Sequence, residues 1–249
     1  MKKVKIRNKQ NRIAKWEDAA GRLVLYADIM GFKSRVMDNN HETLRNDISR
    51  FRSAWEAKME PFMKEDHLRY VQFSDSILIV VNGVDEEMFN LITKAAFCLM
   101  HTAISNRFPI KGVITQGTFT YDKHRELYFG RPLVDAALLH DEIKFYGIVV
   151  HNSAEATVKA KLNDDNLYCK SEIPLEKGRT SHYHLAWNLI NQNYKPEDIT
   201  DICNLWLDVI EEQVSGRPRV YIDNTRKVFE NDRHQLPINN EDSSGNIPK

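Results

Sequence analysis

The 249-residue sequence carries 35 basic and 35 acidic side chains, for a formal net charge of 0, and 42% of its residues are hydrophobic. That balance argues against a general nucleic-acid binder, allows one large domain or one domain with an appendage, and is apolar enough for a real core. Three widely spaced cysteines, Cys98, Cys169 and Cys203, form no CxxC, which gives no disulfide framework or zinc knuckle and favours a reducing cytosol.

Residues 1–20 form a basic N-terminal segment. No apolar stretch follows the basic dozen from Met1 to Arg12, so it reads as a solvated or dimer-contacting segment and not as a secretory signal. Residues 22–29 read as a buried strand, a continuous apolar run ending at Asp28-Ile29-Met30-Gly31. Residues 42–62 repeat Leu44, Ile48, Phe51 and Trp55 at helical spacing. Two strands, 69–73 and 76–82, are joined by Ser74-Asp75 as a hairpin. Residues 85–105 form an amphipathic helix, and Pro109 breaks the chain after it. Residues 110–120 read as a long strand whose Gly112 and Gly117 mark a bulge or a close approach by a ligand or another backbone. A helix is expected from Pro132 to Glu142, a strand over 146–151 and a helix near 154–162.

That order, β-α-β-β-α-β-α-β, is the split βαβ or ferredoxin-like pattern, a mainly antiparallel sheet with helices on one face. The fold class is α+β. Beyond residue 165 the pattern weakens: a strand over 182–190, helices over 197–213 and 217–230, and a polar tail over 236–249 that reads as disordered. No apolar run reaches the roughly 18 residues of a membrane span.

Asp28 and Asp75 each sit in a tight turn at the end of an apolar run. A buried carboxylate is costly without a cationic partner. Two carboxylates brought together by adjacent strands repel unless a cation lies between them. Hard divalent ions held by one or two carboxylates plus substrate phosphates answer both problems, which points to metal-dependent nucleotide chemistry. Aspartates at strand ends also serve as plain turn caps. Lys111, between Ile110 and Gly112 on a core-like strand, needs a partner, which makes it the best phosphate-binding cation; Arg131 follows Gly130, and Lys33 and Arg35 follow the first turn. Tyr70 is a candidate base contact, able to narrow a pocket to one ring. His124, His140, His151, His182 and His184 show no zinc spacing and receive no role.

Tyr26-Ala27-Asp28-Ile29-Met30-Gly31-Phe32 resembles the first metal motif of class III nucleotidyl cyclases, and Phe73-Ser74-Asp75-Ser76 resembles the second. Lys111 to Gly117 is similar to that family's central strand, and Gly130-Arg131-Pro132-Leu133-Val134-Asp135 falls where its dimer-site helix begins. The resemblance covers about residues 20–160, and the Ser-Asp-Ser variant looks most like the pyrimidine cyclases of Pycsar antiphage defence. It implies a nucleotide cyclase domain over 21–165 with a partly helical C-terminal extension over 166–235. It implies two Mg2+ or Mn2+ ions shared by Asp28 and Asp75 with the Ile29 carbonyl, and substrate contacts at Gly31 and Phe32. It also implies a cytoplasmic homodimer with sites at the interface, CTP or UTP as substrate, and a cyclic product read by a separate effector, with no nucleic-acid or membrane partner. Purine-reading residues would fall at Val71 and Leu127, and the transition-state Asn and Arg of adenylate cyclases at Val134 and Leu138. Those departures leave open an atypical purine cyclase or a catalytically silent nucleotide sensor.

Overall fold

The run expected at 22–29 forms a longer strand, β1 (Ala19–Ile29), in which Leu23, Leu25, Ala27 and Ile29 are at most 2% exposed. The computed structural model describes residues 16–63, 67–165 (backbone alone over 161–165), 167–191, 193–195 and 197–235. The chain continues as α1 (Phe32–Asp38), α2 (His41–Met63), β2 (Leu68–Phe73), β3 (Ser76–Val81), α3 (Glu86–Ser105), β4 (Ile110–Asp122), β5 (Leu127–Gly130), α4 (Arg131–Glu142), β6 (Ile148–Val150) and α5 (Asn152–Asp165). It closes with β7 (Tyr168–Leu175), β8 (Gly178–Leu185), α6 (Thr200–Glu211) and α7 (Arg217–Arg233). The basic residues 1–15 and the tail 236–249 lie outside the described residues.

These strands form one sheet in the order β2-β3-β1-β4-β6-β8-β7, with β5 paired to β4. β1, α2, β2, β3, α3 and β4 make the ferredoxin-like βαββαβ unit expected from the sequence. Its strand pairs are antiparallel, and β6 joins β4 in parallel after the α4 crossover. The class is α+β.

The sheet is covered on both faces, which corrects the expectation of helices on one. Leu23, Leu25, Ala27 and Ile29 pack on Phe51, Trp55 and Met59 of α2 and on Ile92, Ala96 and Met100 of α3. Tyr26 and Val113 point the other way, into a second cluster with Ala136 of α4 and Val149. The central run of β1, Leu23 to Ala27, carries apolar or aromatic side chains on both faces because both are covered there. Gly112 stands opposite Ala27, where a Cβ would meet Ala27 Cβ and the Tyr26 carbonyl at 2.9 Å. The close approach read from this glycine is thus made by the neighbouring strand.

The C-terminal part departs most from expectation. The strand expected at 182–190 lies earlier, as β8, and pairs in a hairpin with β7, which the sequence pattern missed. Ser171 on β7 and His184 on β8 face inward, where Ser171 Oγ donates to Asp232 Oδ1 at 3.0 Å and His184 Nε2 meets the same oxygen at 3.0 Å. All three are buried. Arg226 pairs with Asp208 and Glu211, and Arg219 donates to the Val214 and Glu211 carbonyls, so both cations are engaged between α6 and α7.

Candidate functional site

Asp28 is the penultimate residue of β1 and pairs in register with Ser76 on β3 and Lys111 on β4. Asp75 sits beside it in the two-residue turn between β2 and β3, where Ser74 adopts a left-handed conformation (φ 56°). The Ile29 amide donates to the Asp75 carbonyl at 3.0 Å, tying the hairpin turn to the end of β1. Both aspartates therefore share one end of the sheet. Gly31 follows in a left-handed conformation (φ 73°), with open space where a Cβ would stand, and starts α1. Phe32 is half-buried against the main core.

Tyr26, Asp28, Lys111 and His140 crowd the α4 side of the sheet. The Tyr26 hydroxyl donates to Asp28 Oδ2 at 3.0 Å and lies 3.3 Å from Ser76 Oγ. Burial, with the Asp28 and Asp75 charges adding, pushes that hydroxyl up to about 12, so it stays protonated and donates. His140 Nε2 lies 3.6 Å from the same Oδ2, and its ring packs edge-on against Tyr26 at 5.3 Å. Burial and the Lys111 ammonium hold the His140 ring below its ordinary value, which keeps it neutral. Asp28 Oδ1 is buried and has no hydrogen-bond partner among the described residues.

Lys111 is 4% exposed, and its Nζ donates to the His140 carbonyl at 2.8 Å and the Ile143 carbonyl at 3.2 Å. Its partners are thus the last carbonyls of α4, which a cation suits by charge and geometry. Burial brings its ammonium down to about 8. Arg35 donates to the Arg107 carbonyl and lies over the Phe108 ring.

Two residues expected at the site lie elsewhere in the single chain. Tyr70 points to the α2 side of the sheet, away from Asp28; its hydroxyl is bonded by Arg52 at 3.0 Å and donates to Glu56, and its ring packs against Trp55. Arg131 starts α4, roughly 13 Å along the helix axis from His140, with its exposed side chain 3.3 Å from Asp135. His140 is the residue that reading the sequence missed. Its signal was position: it falls four residues after Ala136 on the buried side of α4.

The orphaned Oδ1, with a second aspartate in the adjoining turn, fits a divalent cation. Among the described residues no group of three His, Cys, Asp or Glu could hold a metal. A cation here would take two carboxylates and complete its shell with backbone oxygen, water and nucleotide phosphates, as Mg2+ does.

No family model and no curated protein matches the sequence. Solved structures do match, and the fold they share with this chain is that of adenylyl and guanylyl cyclase catalytic domains. The guanylate cyclase domain of RhGC from Catenaria anguillulae, solved with GTP, is 13% identical with a TM-score of 0.50, over 66% of this chain and 95% of that one. A non-canonical dimeric guanylyl cyclase domain of the RhoGC fusion protein from the fungus Blastocladiella emersonii is 13% identical with a TM-score of 0.52, over 68% and 98%. A bacterial light-regulated adenylyl cyclase is 10% identical with a TM-score of 0.51, over 80% and 100%.

Proposed function

We propose that the protein is a nucleotidyl cyclase, and that it cyclises CTP or UTP. The observation that carries the reading is the half-buried Asp28 carboxylate, whose Oδ1 is buried without a partner among the described residues, with Asp75 in the adjoining turn of a cyclase-type sheet. Asp28 Oδ1, Asp75 and the Ile29 carbonyl would hold Mg2+ or Mn2+. Bound there, two such ions would supply acidity to the 3′-hydroxyl and positive charge to the departing pyrophosphate. The chain's own part is positioning: the hairpin turn fixes Asp75 against β1, and the open space at Gly31 leaves room for the triphosphate beside Phe32. In the reaction the 3′-oxygen bonds the α-phosphorus, the bond to the β-phosphate oxygen breaks, and pyrophosphate leaves.

The pyrimidine preference rests on what the chain lacks. Val71 and Leu127, at the places of the purine-reading residues in the family it resembles, offer no hydrogen bond to a base edge. Tyr70, engaged with Arg52 and Glu56, would contact a base only by releasing that network.

The assembly proposed is a two-fold homodimer with sites at the interface, in which the exposed Arg131 at the start of α4 would face the partner copy. Val134 and Leu138, one turn apart on α4 and 59% and 65% exposed, supply an apolar stripe for that contact, with Phe129 of β5 next to it. RhoGC domains of similar fold are described as monomeric in one structure and as a non-canonical dimer in another. Cys98, Cys169 and Cys203 are all free and buried, which suits a cytoplasmic enzyme, and no helix among the described residues is long and apolar enough to cross a membrane. The role proposed is second-messenger synthesis in antiphage defence, with a separate effector reading the product. Val134 and Leu138 also favour a second reading, a nucleotide sensor without turnover, because neither can stabilise a pentavalent phosphorus.

Incubation of the protein with ATP, GTP, CTP and UTP in Mn2+, with Asp75→Ala alongside, tests both by mass spectrometry. Cyclic CMP or cyclic UMP that disappears in the variant supports the proposal. Cyclic AMP or cyclic GMP overturns the pyrimidine preference, and nucleotide binding without any product favours the sensor.

A further inference from the structure

We infer that Tyr26 and His140 are positioning residues that orient the Asp28 carboxylate, fixing Oδ2 from two sides so that Oδ1 faces the cation. The inference rests on the metal-dependent reading above. It starts from an asymmetry within one carboxylate. Oδ2 receives the Tyr26 hydroxyl at 3.0 Å and faces His140 Nε2 at 3.6 Å, whereas Oδ1 is buried and has no partner among the described residues. A side chain that merely capped a turn would direct its free oxygen to a backbone amide or to water.

The donors suit the task chemically. The half-buried Tyr26 hydroxyl donates to Oδ2 and lies within reach of Ser76 Oγ. His140 presents Nε2 to Asp28 Oδ2 at 3.6 Å and Nδ1 to the exposed Asp141 carboxylate at 3.5 Å, and a proton on Nε2 points its N–H at Oδ2. The 3.6 Å separation is just beyond a hydrogen bond, and such contacts tighten when a site fills. Each donor is itself held. The two rings pack edge to face, and the Lys111 ammonium bonds the His140 carbonyl, so the lysine fixes the turn of α4 that carries the imidazole. Lys111 thus acts on Asp28 through His140 as well as across the strand pair. Supporting hydrogen bonds of this kind commonly change metal affinity by about 10- to 100-fold.

The test is Mn2+ binding followed by electron paramagnetic resonance, with a panel of the four 3′-deoxynucleoside triphosphates, which cannot cyclise. Wild type, Asp28→Ala, Tyr26→Phe, His140→Leu and His140→Gln are compared, with thermal unfolding in parallel. The expected result is Mn2+ binding lost in Asp28→Ala and weakened about tenfold in Tyr26→Phe and in His140→Leu. His140→Gln, which keeps a donor, recovers most of the affinity, and the thermal midpoint of Tyr26→Phe stays close to wild type. Tyr26→Phe keeps the ring packing, so it remains decisive if His140→Leu fails to fold. Wild-type affinity in Tyr26→Phe and in His140→Gln overturns the inference while leaving the metal reading intact. A directly bound imidazole nitrogen in the pulsed spectrum of wild type, absent in His140→Gln, overturns it in another way by making His140 a ligand. Absence of Mn2+ binding in wild type overturns the inference and the metal reading together.

Discussion

The two faces of β1 are built from the same strand and do opposite things. On one, Leu23, Leu25, Ala27 and Ile29 meet α2 and α3 in a large apolar cluster. On the other, Tyr26 and Asp28 meet α4 with Lys111 and His140, and a buried oxygen goes without a partner. The first face gains stability from packing; the second spends some of it by burying charge. Strain of this kind collects where function does, and the contrast separates what folds the chain from what it uses.

The comparison predicts that damage to the two faces is read by different instruments. Removing a carboxylate gives the largest effect. Asp28→Ala or Asp75→Ala should cut cyclase turnover by about a thousandfold, roughly 4 kcal/mol of barrier, with the thermal midpoint held or raised for Asp28→Ala because an unpaired buried oxygen is removed. A steady-state assay beside a melting curve checks both halves, and a variant that unfolds would erase the distinction between the faces.

Leu25→Ala on the packed face should do the reverse. It should lose about 3 kcal/mol in urea unfolding, as buried leucine truncations do, while the activity of each folded molecule stays near wild type.

Acid should attack the packed face through His101 of α3. Its Nε2 bonds the Trp187 carbonyl at 2.8 Å, and burial holds the ring down to about 4. The unfolded chain takes up that proton first, so stability is fully present above about pH 6.5 and falls as the pH drops toward 4. The loss is about 3 kcal/mol across that window. Denaturant midpoints measured from pH 7 to 4 should show this slope, and His101→Gln should flatten it.

The smallest effect belongs to the outer side of α4. Leu138→Arg should leave stability within about 0.5 kcal/mol, as exposed substitutions do, yet weaken self-association and lower turnover by about tenfold at dilute protein. Sedimentation alongside activity decides this, and an unchanged dimer would place the interface elsewhere.

Much of this was legible in the residues. The continuous apolar runs at 22–29 and 76–82, the helical repeat over 85–105 and the two aspartates at strand ends are local signals, and each lies where the pattern put it. The misses share a cause. Ser171 and His184 point inward because Asp232 receives them, so the alternation that betrays a strand was disguised in β7 and β8. α1 spans only Phe32–Asp38, too short for a repeat to show. His140 became visible only when α4 was laid across β1, since nothing in the sequence says which helix covers Asp28. Lys111 was rightly seen to need a partner, but its partner is the end of a helix, which no local pattern announces.

The meeting of Asp232 with Ser171 and His184 also sets a timetable. Asp232 follows Ser171 by 61 residues, which a ribosome covers in roughly 3–12 s. During that interval the β7–β8 hairpin has two polar groups aimed at a core that does not yet hold their acceptor, and water must serve them. The far edge of the sheet is therefore sealed last in synthesis. In the finished molecule it should also be the first to exchange its amide protons, long before β1 and β3 release theirs.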